Sequence, residues 1–132
     1  MRLPSLQNVL YVNAFFSTVC AVATFVATDL LVSHVLSVPP LVFQVLGIGL
    51  VAFALFVFMV ARATPLSHTL VMSIFIADVL WLLATPVLLI VMAERIPSTG
   101  IVFIIEIAVV VAVLATLEWQ GLRRLSALQQ SR

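Results

Sequence analysis

Charge is scarce in this chain. Only 8% of its 132 residues are charged and 64% are hydrophobic, with a mean hydropathy of +1.34. A soluble domain carries about 25% charged residues. The composition therefore excludes a water-facing surface and points to an integral membrane protein. The net charge of +1 gives no footing for nucleic acid or acidic partners. The single cysteine, Cys20, excludes an internal disulfide framework and a multi-cysteine metal site. It reads as a small packing residue. The two histidines, His34 and His68, fall at opposite membrane edges, so no haem-type pair exists. No Ser–His or Cys–His set can be assembled at one depth. There is no glycine-rich phosphate loop, because Gly47-Ile48-Gly49 lies inside an apolar stretch. Internal repeats and low-complexity tails are also missing, and no sequence feature announces a cofactor.

What is present is long apolar sequence. A membrane helix needs about 20 mostly apolar residues, and four segments qualify: approximately 6–31, 40–62, 66–93 and 101–121. Pro39-Pro40, Ala63-Thr64-Pro65 and Pro97-Ser98-Thr99-Gly100 separate them. Proline removes a backbone donor and disfavours helix in the residue before it. Connections this short make neighbouring helices run antiparallel. The expected fold is all-α, an integral membrane antiparallel four-helix bundle forming a single transmembrane domain over 1–132. Residues 29–38 read either as the last turns of the first span or as a short interfacial helix. Arg2, an apolar run and Ala21-Val22-Ala23 mimic a signal peptide. Asn13 interrupts that run and hydrophobicity resumes at Thr24, so the first span is read as uncleaved.

Orientation follows from arginine, since the chain has no lysine. Arg2, Arg62, Arg123, Arg124 and Arg132 fall on one side and only Arg95 on the other. Both termini are therefore expected in the cytoplasm.

Asp78 is the feature that calls for explanation. It lies near the middle of the third apolar stretch, where an acid costs roughly 2.5–3.5 kcal/mol. Such a residue faces a partner or a wet cavity rather than lipid. At about 100° per residue, Asn13, Ser17, Cys20, Thr24 and Thr28 form one stripe of the first span. Asp78, Trp81 and Thr85 share a face of the third. Glu106, Val109, Val113, Thr116 and Gln120 share a face of the fourth. Counting depth along antiparallel neighbours predicts a polar cluster of Asp78, Asn13, Ser17 and Thr116. It also predicts an outer group of Glu106, Gln44, Thr28, Asp29 and His34. A mixed metal site from Asp29, His34 and Glu106 is a weaker reading, and no metal is assigned. Glu118 is placed near the inner boundary, meeting headgroups or Arg123. Trp119 reads as an interface anchor, and Thr85-Pro86 as a kink.

Each polar stripe has a bland alternative. Small residues let membrane helices approach closely, and hydroxyls bond across or back to the helix. On that reading Asp78 makes only a structural bond to Asn13 or Ser17, and the Ala108, Ala112, Ala115 and Ser73, Ala77, Ala84 faces only pack.

Asn13-Ala14-x-x-Ser17, Ala77-Asp78-x-x-Trp81 and Gln120-Gly121-Leu122-Arg123-Arg124 together resemble small four-helix bacterial inner-membrane proteins without an assigned activity. The resemblance covers most of the chain. It implies a bacterial plasma membrane and gives no reaction. Small multidrug transporters also have four spans and a buried acid, but theirs lies in the first helix, where this chain has only Asn13. The motifs of the dual-topology fluoride channels are missing.

Two functions are carried forward. One is a protein that binds or transports a small or amphipathic ligand in a cavity lined by Asn13, Ser17, Gln44, Asp78, Trp81, Thr85, Glu106 and Thr116. The other is an accessory subunit or homo-oligomer with no chemistry of its own. An enzyme acting on a quinone or lipid substrate ranks third.

Overall fold

Ser5 opens the first helix by accepting a bond from the backbone N–H of Asn8 at 3.2 Å. The computed structural model describes residues 5–131. Arg2 and Arg132, which enter the arginine asymmetry, lie outside them. Helix α1 spans Leu6–Val26. Thr18, Thr24 and Thr28 turn their hydroxyls back onto main-chain carbonyls of the preceding turn. Such back-bonding competes with the helical ladder and bends it. The helix ends at Ala27 and α2, Thr28–His34, follows. The first span expected over 6–31 is thus interrupted, and residues 28–34 form a separate short helix.

Helix α3 spans Pro40–Arg62, with Pro40 in the first turn, where its missing donor costs nothing. Ser67 caps α4, His68–Val91, by accepting from the N–H of Leu70 at 3.4 Å. Pro86 lies inside α4 and the helix continues past it. A single 3-10 turn, Ala93–Arg95, leads to α5, Ser98–Gln130. The 33 residues of α5 extend about 50 Å. It runs well past the expected end at 121, because Gln120 and the arginines behind it continue the helix rather than stop it. No strand occurs among the described residues. Four of the helices are long and apolar enough to cross a membrane.

Packing centres on α1. It lies along α3 and also meets α5, while α4 packs on α5. The start of α1 sits beside the end of α3, where Gln7 donates to the carbonyl of Ala61 at 2.8 Å. Leu10, Ala14, Val57, Val60, Ala61, Val71, Ile74 and Leu122 form one apolar cluster drawn from all four long helices. A second cluster, Leu36, Phe43 and Ile96, closes the opposite end. There Ser37 N–H donates to the carbonyl of Arg95 at 2.8 Å, and Thr99 donates to the carbonyl of His34 at 2.6 Å.

The exterior is apolar to an extent that water would not tolerate. Phe15, Val26, Met59 and Ile90 are each 70% exposed or more. Soluble monomers rarely leave contiguous apolar patches beyond a few hundred Å² uncovered.

Close approaches set two glycines apart. A Cβ at Gly100 would run into the backbone carbonyl of Val35, whereas one at Gly49 would meet nothing within 4 Å. Gly100→Ala should therefore destabilise the fold by about 1–3 kcal/mol, the usual cost of forced overpacking. Gly49→Ala should be neutral or mildly stabilising, because alanine is the better helix former. Thermal unfolding of the two variants in one mild detergent checks the contrast.

A candidate site at a buried carboxyl pair

Asn13 holds the centre of the molecule together. It lies on α1, three residues past Leu10 of the first apolar cluster, and is 2% exposed. Its side-chain amide carries two N–H groups, and both are used across helices. One donates to Asp78 Oδ2 on α4 at 2.8 Å, and the other to Glu118 Oε1 on α5 at 2.6 Å. Its carbonyl oxygen accepts a longer bond from Ser17, one turn along α1, at 3.3 Å. The amide orientation follows from chemistry, because carboxyl oxygens can only accept from it unless they carry a proton.

The two carboxyl groups are therefore neighbours, since both accept from the same amide nitrogen. A direct bond between two carboxyl groups needs a proton on one of them. Glu118 Oε2 has no hydrogen-bond partner, and Glu118 is fully buried. Arg123 and Arg124, beyond Glu118 on α5, are exposed. The pair thus sits in an apolar surround with one neutral amide as its fixed donor.

Local sequence explains the convergence. On α4 the buried positions Val71, Ile74, Asp78 and Thr85 fall three, four and seven residues apart, which is one helical face. On α5 the buried face is Val111, Leu114, Ala115, Glu118 and Leu122, with the same spacing. Asp78 and Glu118 each replace an apolar residue in an otherwise apolar packing row. About 15 Å of α4 separates Asp78 from the helix start at His68.

The residues expected in the site divide. Asn13, Ser17 and Asp78 come together as the depth count predicts. Thr116 does not join them. It is exposed on α5 and bonds the carbonyl of Ala112 at 2.8 Å, because two residues separate it from the buried face at Glu118. Trp81 is 40% exposed and makes no hydrogen bond to the pair. Thr85 is buried but donates to the carbonyl of Trp81 at 2.9 Å, one turn back in its own helix. Glu106, Gln44, Asp29 and His34 are all exposed. Among the described residues no group of three His, Cys, Asp or Glu gathers where it could hold a metal. The outer metal reading of Asp29, His34 and Glu106 therefore has no geometry behind it.

Glu118 is the residue that sequence reasoning missed. Far from meeting headgroups or Arg123, it is the third member of the centre. Its side chain is fully buried against the neighbouring helices, on the same face of α5 as Leu114 and Leu122. The row Val111, Leu114, Ala115, Leu122 is the signal that could have found it. Trp119, next in sequence, stands at the surface and packs its ring against Phe75 at 5.4 Å.

Two clefts flank the long helices. One, of about 310 Å³, lies between the start of α4 and the end of α5, and His68, Met72, Trp119, Leu122 and Arg123 are among its walls. Trp119 and Leu122 lie one and four residues past Glu118 on α5, but Glu118 itself does not line the cleft. The other, of about 390 Å³, is an apolar groove between α1 and α3. Neither cleft is lined by Asp78, Asn13 or Ser17. No family model, curated protein or solved structure matches the chain.

Proposed function

We propose that the chain is a small polytopic membrane protein whose Asp78–Glu118 pair exchanges a proton in the course of binding or moving a small ligand. The observation that carries this reading is the geometry of the pair. Two buried carboxyl groups face each other with Asn13 as their fixed donor. In apolar surroundings such an arrangement holds one shared proton far more readily than two negative charges. Ionisable groups inside membrane segments commonly mark proton relays and substrate paths. The cleft at His68 and Arg123 shares Trp119 and Leu122 with the stretch of α5 that carries Glu118, so a proton path from that face is part of the proposal.

The setting of this reading is an antiparallel four-helix bundle in a bacterial plasma membrane. The four long apolar helices and their bare apolar exterior support the membrane. Arginine at the ends of α3 and α5 supports cytoplasmic termini, since Arg62, Arg123 and Arg124 lie at the end opposite Arg95. The bacterial assignment rests on the sequence resemblance.

Infrared spectroscopy across a pH series tests the exchange. A protonated carboxylic acid has its own carbonyl stretch, separate from carboxylate bands. The purified protein should show such a band, and it should titrate. A carboxylic-acid spectrum that is the same in Glu118→Gln and Asp78→Asn as in the parent would overturn the reading, since exposed Asp29, Glu94 and Glu106 contribute carboxyl bands in every variant.

One observation favours a second role. Glu106 is exposed on α5 about 12 Å from the helix start, and Gln44 is exposed near the same end on α3. Polar groups at that depth gain by meeting another protein surface. An accessory subunit or homo-oligomer would place them there, and the mass of the detergent-solubilised particle distinguishes it from a monomer.

A further inference from the structure

The groove between α1 and α3 has a charged mouth. Its floor is made of small residues, Ala14 and Ala21 from α1 and Ala54 from α3, all buried. Its walls are the exposed rings of Phe15, Phe25 and Phe58. At one end the ring of Phe58 carries the guanidinium of Arg62 at 5.6 Å, and Tyr11 packs edge-on against the same ring at 5.8 Å. Arg62 is the last residue of α3 and is exposed. From Tyr11 to Phe25 the groove follows α1 for about 21 Å. One leaflet of a bilayer contributes roughly 15 Å of hydrocarbon.

We propose that this groove is a binding site for an anionic phospholipid of the surrounding membrane. The acyl chain lies along Ala14, Ala21 and Ala54 between the aromatic walls, and the phosphate meets Arg62. The charge at the mouth selects the lipid class. A guanidinium presents a planar fork of donors that matches two phosphate oxygens. Stacking on Phe58 holds that fork at the groove end and orders it before the lipid arrives. The site rests on the membrane reading above and is independent of the carboxyl pair.

The test has two stages on the full chain. Carbonate extraction of membranes comes first. A protein released by carbonate overturns the membrane reading itself. For a protein that resists extraction, native mass spectrometry in mild detergent follows, with phosphatidylglycerol or phosphatidylcholine of identical chains titrated in. Phosphatidylglycerol adducts should be retained over phosphatidylcholine. Arg62→Gln should lower that preference by about fivefold, the effect of one arginine at an anionic surface. Thr18→Trp, at an exposed groove position, should reduce retention of both lipids. Equal retention of the two lipids, unmoved by Arg62→Gln, overturns the site while leaving the membrane reading intact. A dimer that Thr18→Trp dissociates also overturns it, since the groove would then take a second copy of the chain.

Discussion

Asn13→Leu should be the most damaging single substitution in the molecule. Leucine has the branched skeleton of asparagine but larger terminal groups, so the lost hydrogen bonds come with some overpacking. The exchange removes the donor that serves both Asp78 and Glu118, and it leaves two buried carboxyl groups with no fixed N–H. Leaving a buried charged or strongly polar partner unsatisfied typically costs about 3–5 kcal/mol. The converse experiment is as informative. Interhelical hydrogen bonds in membrane proteins contribute only about 0.6 kcal/mol each on average. The bonds of this centre therefore add little net stability over an apolar core of the same shape. A triple variant, Asn13→Leu with Asp78→Leu and Glu118→Met, should recover most of what the single variant loses. Unfolding of both variants in one detergent measures the difference. Recovery would mean that the polar centre exists for something other than stability. A triple variant as weak as the single one would assign the centre to holding the helices together.

The origin of that centre shows what the sequence conveys and what it conceals. The four apolar helices follow from composition and from the prolines between them, because each helix is longer than a membrane is thick and each break has a local cause. Asn13, Ser17 and Asp78 could be matched from helical angle and depth alone. Angle and depth are nearly independent of side-chain detail when helices are straight and neighbours alternate in direction. Thr116 and Glu118 mark where this reasoning fails. Two residues on a helix differ by about 200°, so choosing the wrong face of α5 exchanges one for the other. The choice depended on which row packs inward, and both rows mix valine with a glutamate. Placing Glu118 near the inner boundary also set it apart from the depth of Asp78, whereas the structure joins both to Asn13. Tertiary packing decides both points, and neither is written in local propensity. The break at Ala27 lies between Thr24 and Thr28, whose hydroxyls bond main-chain carbonyls of the preceding turn. The exposed position of Glu106 is legible in retrospect. It shares its face with Val109, Val113 and Thr116, and Val109, Val113 and Thr116 are exposed as well.

Glu118→Gln should separate proton exchange from folding. Glutamine keeps the shape of the side chain and keeps an oxygen where Oε1 accepts from Asn13. Its amide nitrogen takes the place of Oε2, the atom without a hydrogen-bond partner, and brings a donor to the side of the neighbouring Asp78 carboxyl. That donor needs no extra proton. Stability should stay within about 1 kcal/mol of the parent, because the shape and the bond from Asn13 are kept. The titrating carboxylic-acid band should nonetheless disappear or lose most of its amplitude, since the shared proton has no second acid to hold it. Asp78→Asn places a second amide beside Asn13 and leaves Glu118 as the lone acid, which gives a different spectrum and a weaker network. The two conservative variants should therefore differ, with Glu118→Gln the better folded of the two. Loss of the band without loss of stability in Glu118→Gln would assign the exchangeable proton to the pair and separate it from folding. An unchanged band in that variant would place the exchangeable proton elsewhere and remove the carboxyl pair from the mechanism.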